Sequence, residues 1–203
     1  MESTSKLNIG DIEVASFVRP YLGERVSGDT VVMEQRDDLI FLAIIDALGH
    51  GPQANAVAIR AEQFLRNGWS SDILKTLNQL HSELNGTIGA AAGLCVVDSV
   101  KRDIRYIGVG NTVLRTFGSR ATRLVSADGI IGSRFRTPAM QSAPLKESGI
   151  MLLYTDGVSD RFDEEQYPQI HYHSASAIAH KVVTSFGKPY DDAACMAMRY
   201  GRC

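Results

Sequence analysis

Two segments of this chain are apolar at almost every position. Residues 39–45 read LIFLAII and residues 150–155 read IMLLYT, and each run stops at an aspartate, Asp46 and Asp156. A short continuous apolar run is the pattern of a strand buried on both faces. Weaker strand patterns lie around them. Residues 9–18 alternate loosely, and 30–34 are β-branched. Residues 90–97, 104–109, 112–117, 122–125 and 193–199 add further strands. Gly110-Asn111, two residues that tolerate positive φ, predicts a hairpin turn between the strands at 104–109 and 112–117. Three segments carry one-sided helical stripes instead. Residues 53–67 place Val57, Ala61, Phe64 and Leu65 on one face. Residues 71–85 place Ile73, Leu77, Leu80 and Leu84 on another, with Ser71 as the predicted N-cap. The third helix, 174–186, is closed by Gly187 and Pro189. The order is strands, two helices, strands, a helix, a strand. That order predicts an α+β fold with stacked antiparallel sheets and helices outside them.

Composition narrows the classes without choosing among them. A length of 203 residues with 44% hydrophobic content suits one domain, 1–203, with a sizeable core. The net charge of −2 offers no basic field for nucleic acid. No apolar run reaches membrane-span length, and the polar start MESTSKLNIGDIEV lacks a signal-peptide core. Cys95, Cys195 and Cys203 make an odd count, and the first two sit in apolar runs as buried, reduced thiols would. A cytoplasmic protein is the expectation.

The chemistry concentrates where apolar strands end. Asp46, Asp156 and Asp191 each border a core strand, and Asp29 stands in Ser27-Gly28-Asp29 just before another. Carboxylates placed together beside a core repel one another and lose hydration unless a cation neutralises them. Hard divalent ions take oxygen ligands from such a set, and two ions about 3.5–4 Å apart can serve phosphoryl chemistry. Aspartate is also an ordinary turn former, so these positions alone leave both readings open.

The ordered motifs go further. Ser27-Gly28-Asp29, Asp46-Ala47-Leu48-Gly49-His50-Gly51, Gly108-Val109-Gly110-Asn111, Thr155-Asp156-Gly157-Val158 and Asp191-Asp192 stand in sequence over most of the chain. Together they resemble the PPM family of Mg/Mn-dependent serine/threonine protein phosphatases. The likeness is to its bacterial branch, and with Gly129-Ile130-Ile131-Gly132 it leans toward the RsbX-like feedback phosphatases of the stressosome. The resemblance implies a four-layer α-β-β-α sandwich and a site for two Mn²⁺ or Mg²⁺ ions. It assigns Asp46 as the bridge between the ions and the backbone carbonyl of Ala47 as a ligand of one. Asp156 and Asp191 become ligands of the other, Asp29 an outer ligand acting partly through water, and Asp192 and Gly157 supports beside the ligands. The implied reaction is direct attack of a metal-bridging hydroxide on a phosphoserine or phosphothreonine protein. Stressosome scaffold proteins of the RsbR and RsbS kind are the implied substrates, with an anti-anti-sigma factor as the alternative. A catalytically degenerate binding module of the same fold is the other alternative. The chain departs from the family at Ala47, usually Gly, and at Ala194, often Thr or Ser.

Other candidates follow from residue chemistry. His50 between two glycines could protonate the leaving oxygen. Arg134 and Arg136, around Phe135 in the loop 126–138, could dock a phosphoprotein. Arg19 and Arg25 are positional candidates for gripping phosphate. His171 and His173 would lie on one side of a strand and hint at a metal. Cysteine-phosphatase, P-loop and Gly-x-Ser-x-Gly motifs are missing.

Overall fold

Period-two alternation inside the apolar runs decides the layering. The computed structural model describes residues 2–118, 121–145 and 148–201. Its strands are β1 (Ser3–Ile9), β2 (Ile12–Arg19), β3 (Asp29–Arg36), β4 (Leu39–Ala47), β5 (Ala90–Asp98), β6 (Asp103–Val109), β7 (Val113–Phe117), β8 (Thr122–Val125), β9 (Gln141–Pro144), β10 (Gly149–Tyr154) and β11 (Ala193–Tyr200). The helices are α1 (Gly51–Gly68), α2 (Ile73–Glu83) and α3 (Ala175–Phe186). One sheet runs β1-β2-β11-β10-β7-β8 and the other β3-β4-β5-β6-β9. Every pairing between these described strands is antiparallel.

Within β4, Ile40, Leu42 and Ile44 enter the layer between the sheets, while Phe41, Ala43 and Ile45 face α1 and α2. In β10, Met151 and Leu153 meet them from the other sheet, and Ile150, Leu152 and Tyr154 face α3. Each run is therefore apolar throughout because it serves two core layers at once. The result is the expected α+β sandwich, two antiparallel sheets between α1/α2 and α3.

Four local readings change. β1 and β9 had no sequence signal: β1 is mostly exposed, and β9 is four residues ending in proline. Gly110-Asn111 does not close a hairpin, because β6 and β7 belong to different sheets and the chain crosses between them there. Gly110 does have φ +94, and a Cβ on it would overlap Ala91. The N-cap of α2 is Asp72, whose carboxylate accepts from the Lys75 amide at 3.0 Å, so Ser71 lies just outside the helix. Ser174 caps α3 as its type predicts, accepting from the Ala177 amide. Gly187 ends α3 with φ −72, so glycine is needed there for space: a Cβ would overlap the Val183 carbonyl.

Cys95 and Cys195 are buried free thiols, and burial pushes both upward in pKa; Cys203 lies outside the described residues. His171 and His173 are not on a strand but on and beside the 3-10 turn Ile170–Tyr172. They are engaged separately, with Glu164 at 3.2 Å and the Tyr167 hydroxyl at 2.6 Å. The metal hint there falls away.

Candidate functional site

The register of β3 against β4 places Asp29 directly opposite Asp46. Both share strand parity with the residues that fill the space between the sheets, Val31 and Met33 in β3 and Ile40, Leu42 and Ile44 in β4. The layer that is hydrocarbon along most of its length thus turns to carboxylate at one end. From the other sheet, β10 delivers Thr155 and Asp156 past its end, beside Asp191 and Asp192 just before β11. The Thr155 amide donates to the Ala194 carbonyl at 3.1 Å and carries the β10–β11 ladder into the site. The Thr155 hydroxyl donates to Asp29 Oδ2 at 2.7 Å and joins the two sheets.

This arrangement is electrostatically unfavourable as it stands. Like charges directly opposite in an antiparallel pair destabilise it. Burial, and then the Asp46 charge, holds the Asp29 carboxyl well above the usual carboxylate range. Burial, followed by the charges of Asp156 and Asp191, pushes Asp46 up to about 8. Asp191 is raised by burial and by Asp156. Asp29 Oδ1 is buried and has no hydrogen-bond partner. An unpaired buried carboxylate oxygen costs several kcal/mol unless something positive meets it.

The donors are all hard oxygens, the set that Mg²⁺ and Mn²⁺ accept. Among the described residues no three acidic, histidine or cysteine side chains are gathered closely enough to hold an ion by themselves. A carbonyl and waters would have to complete any shell, as Mg²⁺ ordinarily requires. Ala47 meets the condition for a carbonyl donor. It is not among the residues with positive φ, so alanine occupies the position without strain. Its amide is tied to the Gly28 carbonyl at 3.1 Å.

The neighbouring residues hold this end of the molecule together. Asp192 is buried and accepts from the amides of Tyr21 at 2.7 Å and Gly28 at 2.9 Å, which fixes the β2–β3 loop against the start of β11. Gly157 is required by close approach, since a Cβ would overlap the Asp192 carbonyl. Arg19 donates to the carbonyls of Lys188 and Asp191, so it braces the loop before β11 rather than facing the cleft as a phosphate grip. Arg25 is exposed on the β2–β3 loop. Thr155 was not assigned from sequence, although it stands inside a quoted motif. Its role depends on a contact 126 positions away that no local pattern reveals.

Asp46, Asp156, Asp191 and His50 line one cleft of about 530 Å³. Asp128 and Asn111 line it too, and sequence reasoning singled out neither for the site. The loop 126–138 borders the cleft through residues 128–130, whereas Arg134 and Arg136 are exposed on its other limb. His81 of α2 steadies that loop: its Nδ1 accepts from the Gly132 amide at 3.0 Å and its ring meets Phe135 edge-on.

With this geometry in hand, comparison with known proteins is informative. The family model for stage II sporulation protein E, SpoIIE, matches residues 36–201. The chain belongs to the SpoIIE family. The match begins after Asp29, so the first motif rests on structure rather than on the family model. A chain of the bacterial stressosome, described as a modular system adapted to control secondary messenger signalling, superposes on this SpoIIE-family chain with a TM-score of 0.87 at 24% identity, covering 94% of this chain and all of the other. RsbX in complex with magnesium gives 0.85 at 16% identity over 98% of this chain and all of that one. The catalytic domain of the serine/threonine phosphatase PstP with two manganese ions gives 0.71 at 14% identity, covering 94% and 99%. Curated protein sequences return no match. The SpoIIE-family chain therefore has the PP2C-type, or PPM, phosphatase fold that its motifs resembled.

Proposed function

We propose that this SpoIIE-family chain is a metal-dependent phosphatase of phosphoserine and phosphothreonine proteins, with residues 1–203 acting as one catalytic domain. The observation that carries the reading is the convergence of Asp29, Asp46, Asp156 and Asp191 from both sheets, with a buried Asp29 oxygen left unpartnered. Asp46 would bridge two Mn²⁺ or Mg²⁺ ions, with the Ala47 carbonyl and Asp29 on one side and Asp156 and Asp191 on the other. Bound there, the ions supply charge neutralisation at phosphate and activation of water. Asp192 and Gly157 hold the loops that present these ligands. His50, on the cleft wall, donates a proton to the departing serine or threonine oxygen. No side-chain nucleophile is required, and the two described cysteines are buried in the core away from the cleft.

The substrates that fit this reading are stressosome scaffold proteins in a bacterial stress-response pathway, acted on in the cytoplasm, with Arg134 and Arg136 as docking charges. Structural likeness to a stressosome chain and to RsbX supports this class, and an anti-anti-sigma factor is the alternative substrate. No helix is long and apolar enough to cross a membrane among the described residues.

The deciding assay is Mn²⁺-dependent release of phosphate from the two phosphoprotein classes in parallel, with Asp46→Asn and Asp156→Asn as controls. Activity should vanish with a chelator and return with Mn²⁺. Each substitution should lower turnover at least about 10³-fold, as expected when a site built on preorganised charge is broken. Near-normal turnover by Asp46→Asn would refute the metal assignment. A wild-type chain that binds phosphoprotein without turning it over would favour a binding module.

A further inference from the structure

His50 is the first residue before α1, yet its side chain makes no capping bond to that helix. It turns instead to the β2–β3 loop. Its Nδ1 lies 3.1 Å from Glu24 Oε1, and its ring is stacked on Tyr21 with centroids 4.6 Å apart and planes 14° from parallel. The hydrogen bond fixes one end of the imidazole, and the stack fixes its plane. Both restraints come from a single turn, in which the Glu24 amide donates to the Tyr21 carbonyl at 3.0 Å. The turn is pinned in its own right, because the Tyr21 amide donates to Asp192, the neighbour of Asp191. Gly51, with φ +73, leaves room for Glu24: a Cβ there would lie 3.0 Å from Glu24 Oε1.

We infer that Glu24 is a positioning residue that sets His50 as the proton donor of the cleft, with the Tyr21 ring as its second restraint. The inference rests on the phosphatase reading above and adds a role to it. A carboxylate oxygen only accepts, so a histidine bonded to it through Nδ1 must carry its proton on that nitrogen. Nε2 is then the nitrogen that exchanges. As a water oxygen bonds to phosphorus and gives up its proton to solvent, the phosphorus–oxygen bond to the seryl or threonyl group breaks, its electron pair goes to the leaving oxygen, and the Nε2 proton of the imidazolium moves to it. The product alcohol departs, and His50 is left neutral, with Nδ1 keeping its proton and still donating it to Glu24. Orientation matters because a small misplacement of a catalytic group can cost about 10²-fold in rate.

The test uses the leaving group. A serine alkoxide needs a proton as it departs, whereas p-nitrophenolate departs readily without one. With Mn²⁺, Glu24→Ala should lower kcat on a phosphoseryl protein by about 10–30-fold and on p-nitrophenyl phosphate by no more than about 2–3-fold, within the range of general acid catalysis. Glu24→Gln, which keeps an acceptor at Nδ1, should recover part of the loss. Adding Glu24→Ala to His50→Gln should cost little further on the phosphoseryl protein, because the two act as one unit. A readout independent of turnover is ¹⁵N NMR of the imidazole in the metal-free protein: Glu24→Ala should lose the Nδ1–H preference of wild type. Equal losses on both substrates, or an unchanged His50 tautomer in Glu24→Ala, would overturn the positioning role while leaving the phosphatase reading intact. A wild-type chain that hydrolyses neither substrate would remove both together.

Discussion

Asp29 and Asp192 are buried to the same degree, each with 4% of its surface exposed, at the same end of the molecule. Their surroundings are opposites. Asp192 sits where a loop meets a strand start, and two backbone amides from a distant loop satisfy its oxygens. Asp29 sits on a strand facing Asp46, with one oxygen bonded to Thr155 and the other to nothing. The first neighbourhood is complete and works as a structural tie. The second is short of positive charge, and its carboxylates are forced toward the protonated form. Burial alone therefore does not separate a satisfied aspartate from one left short of partners; what reaches its oxygens does.

Stability measurements can break this contrast. In metal-free protein at about pH 8, Asp192→Asn should destabilise by about 2–3 kcal/mol, since an amide cannot accept from both backbone donors. Asp46→Asn should instead raise the melting temperature under the same conditions, because it removes a charge opposed by its neighbours. Denaturant melts of the two variants with a chelator present would show the opposite signs. Two losses of equal size would mean that Asp46 is as well satisfied as Asp192.

The pH dependence follows from the same difference. Asp46 ionises near 3.8 when unfolded and at about 8 when folded without metal, and Asp29 and Asp191 shift in the same direction. Between those values the folded chain holds protons that the unfolded chain has released, so metal-free stability falls as pH rises through the window. Mn²⁺ or Mg²⁺ should compete with those protons and flatten or reverse the slope. Melting temperatures at about pH 5.5 and 8, with chelator and with Mn²⁺, would measure it, at roughly 2–4 °C per kcal/mol for a chain of this size. A metal-free protein that melts higher at the upper pH would contradict the electrostatic account.

The smallest expected effect concerns the rim. Reversing the charges at Arg134 and Arg136 should raise KM for a phosphoprotein about 3–10-fold and leave KM for p-nitrophenyl phosphate little changed, since rim charges act mainly on docking. Equal changes for both substrates would argue that the loop acts on the cleft itself.

The sequence carried the layering wherever one residue pattern had a single structural solution. The runs in β4 and β10 serve two cores each, so they could only be central strands. β1 was illegible because its polar, exposed residues have no periodicity, and β9 because four residues with a proline carry too little pattern. Gly110-Asn111 misled because turn chemistry reports positive φ but not which sheet the next strand joins. The gathering of Asp29, Asp46, Asp156 and Asp191 at one end of the molecule was legible from their strand ends and ordered motifs. The contacts of Thr155, Glu24 and Tyr21 were not, because each meets a partner supplied by another segment of the chain. Asp128 lies in a loop with no apolar strand end beside it to mark it as a cleft residue.

The β3–β4 hairpin has a consequence for how such a chain can tolerate insertions. Its turn is Asp37-Asp38, with Asp37 at φ +51, and its register puts Asp29 opposite Asp46. A one-residue slip would carry every side chain of one strand to the opposite face. Val31 and Met33 would leave the space between the sheets in the same stroke that removed Asp29 from Asp46. Deletions and duplications in this turn that shift the register are thus filtered twice by a single geometric fact.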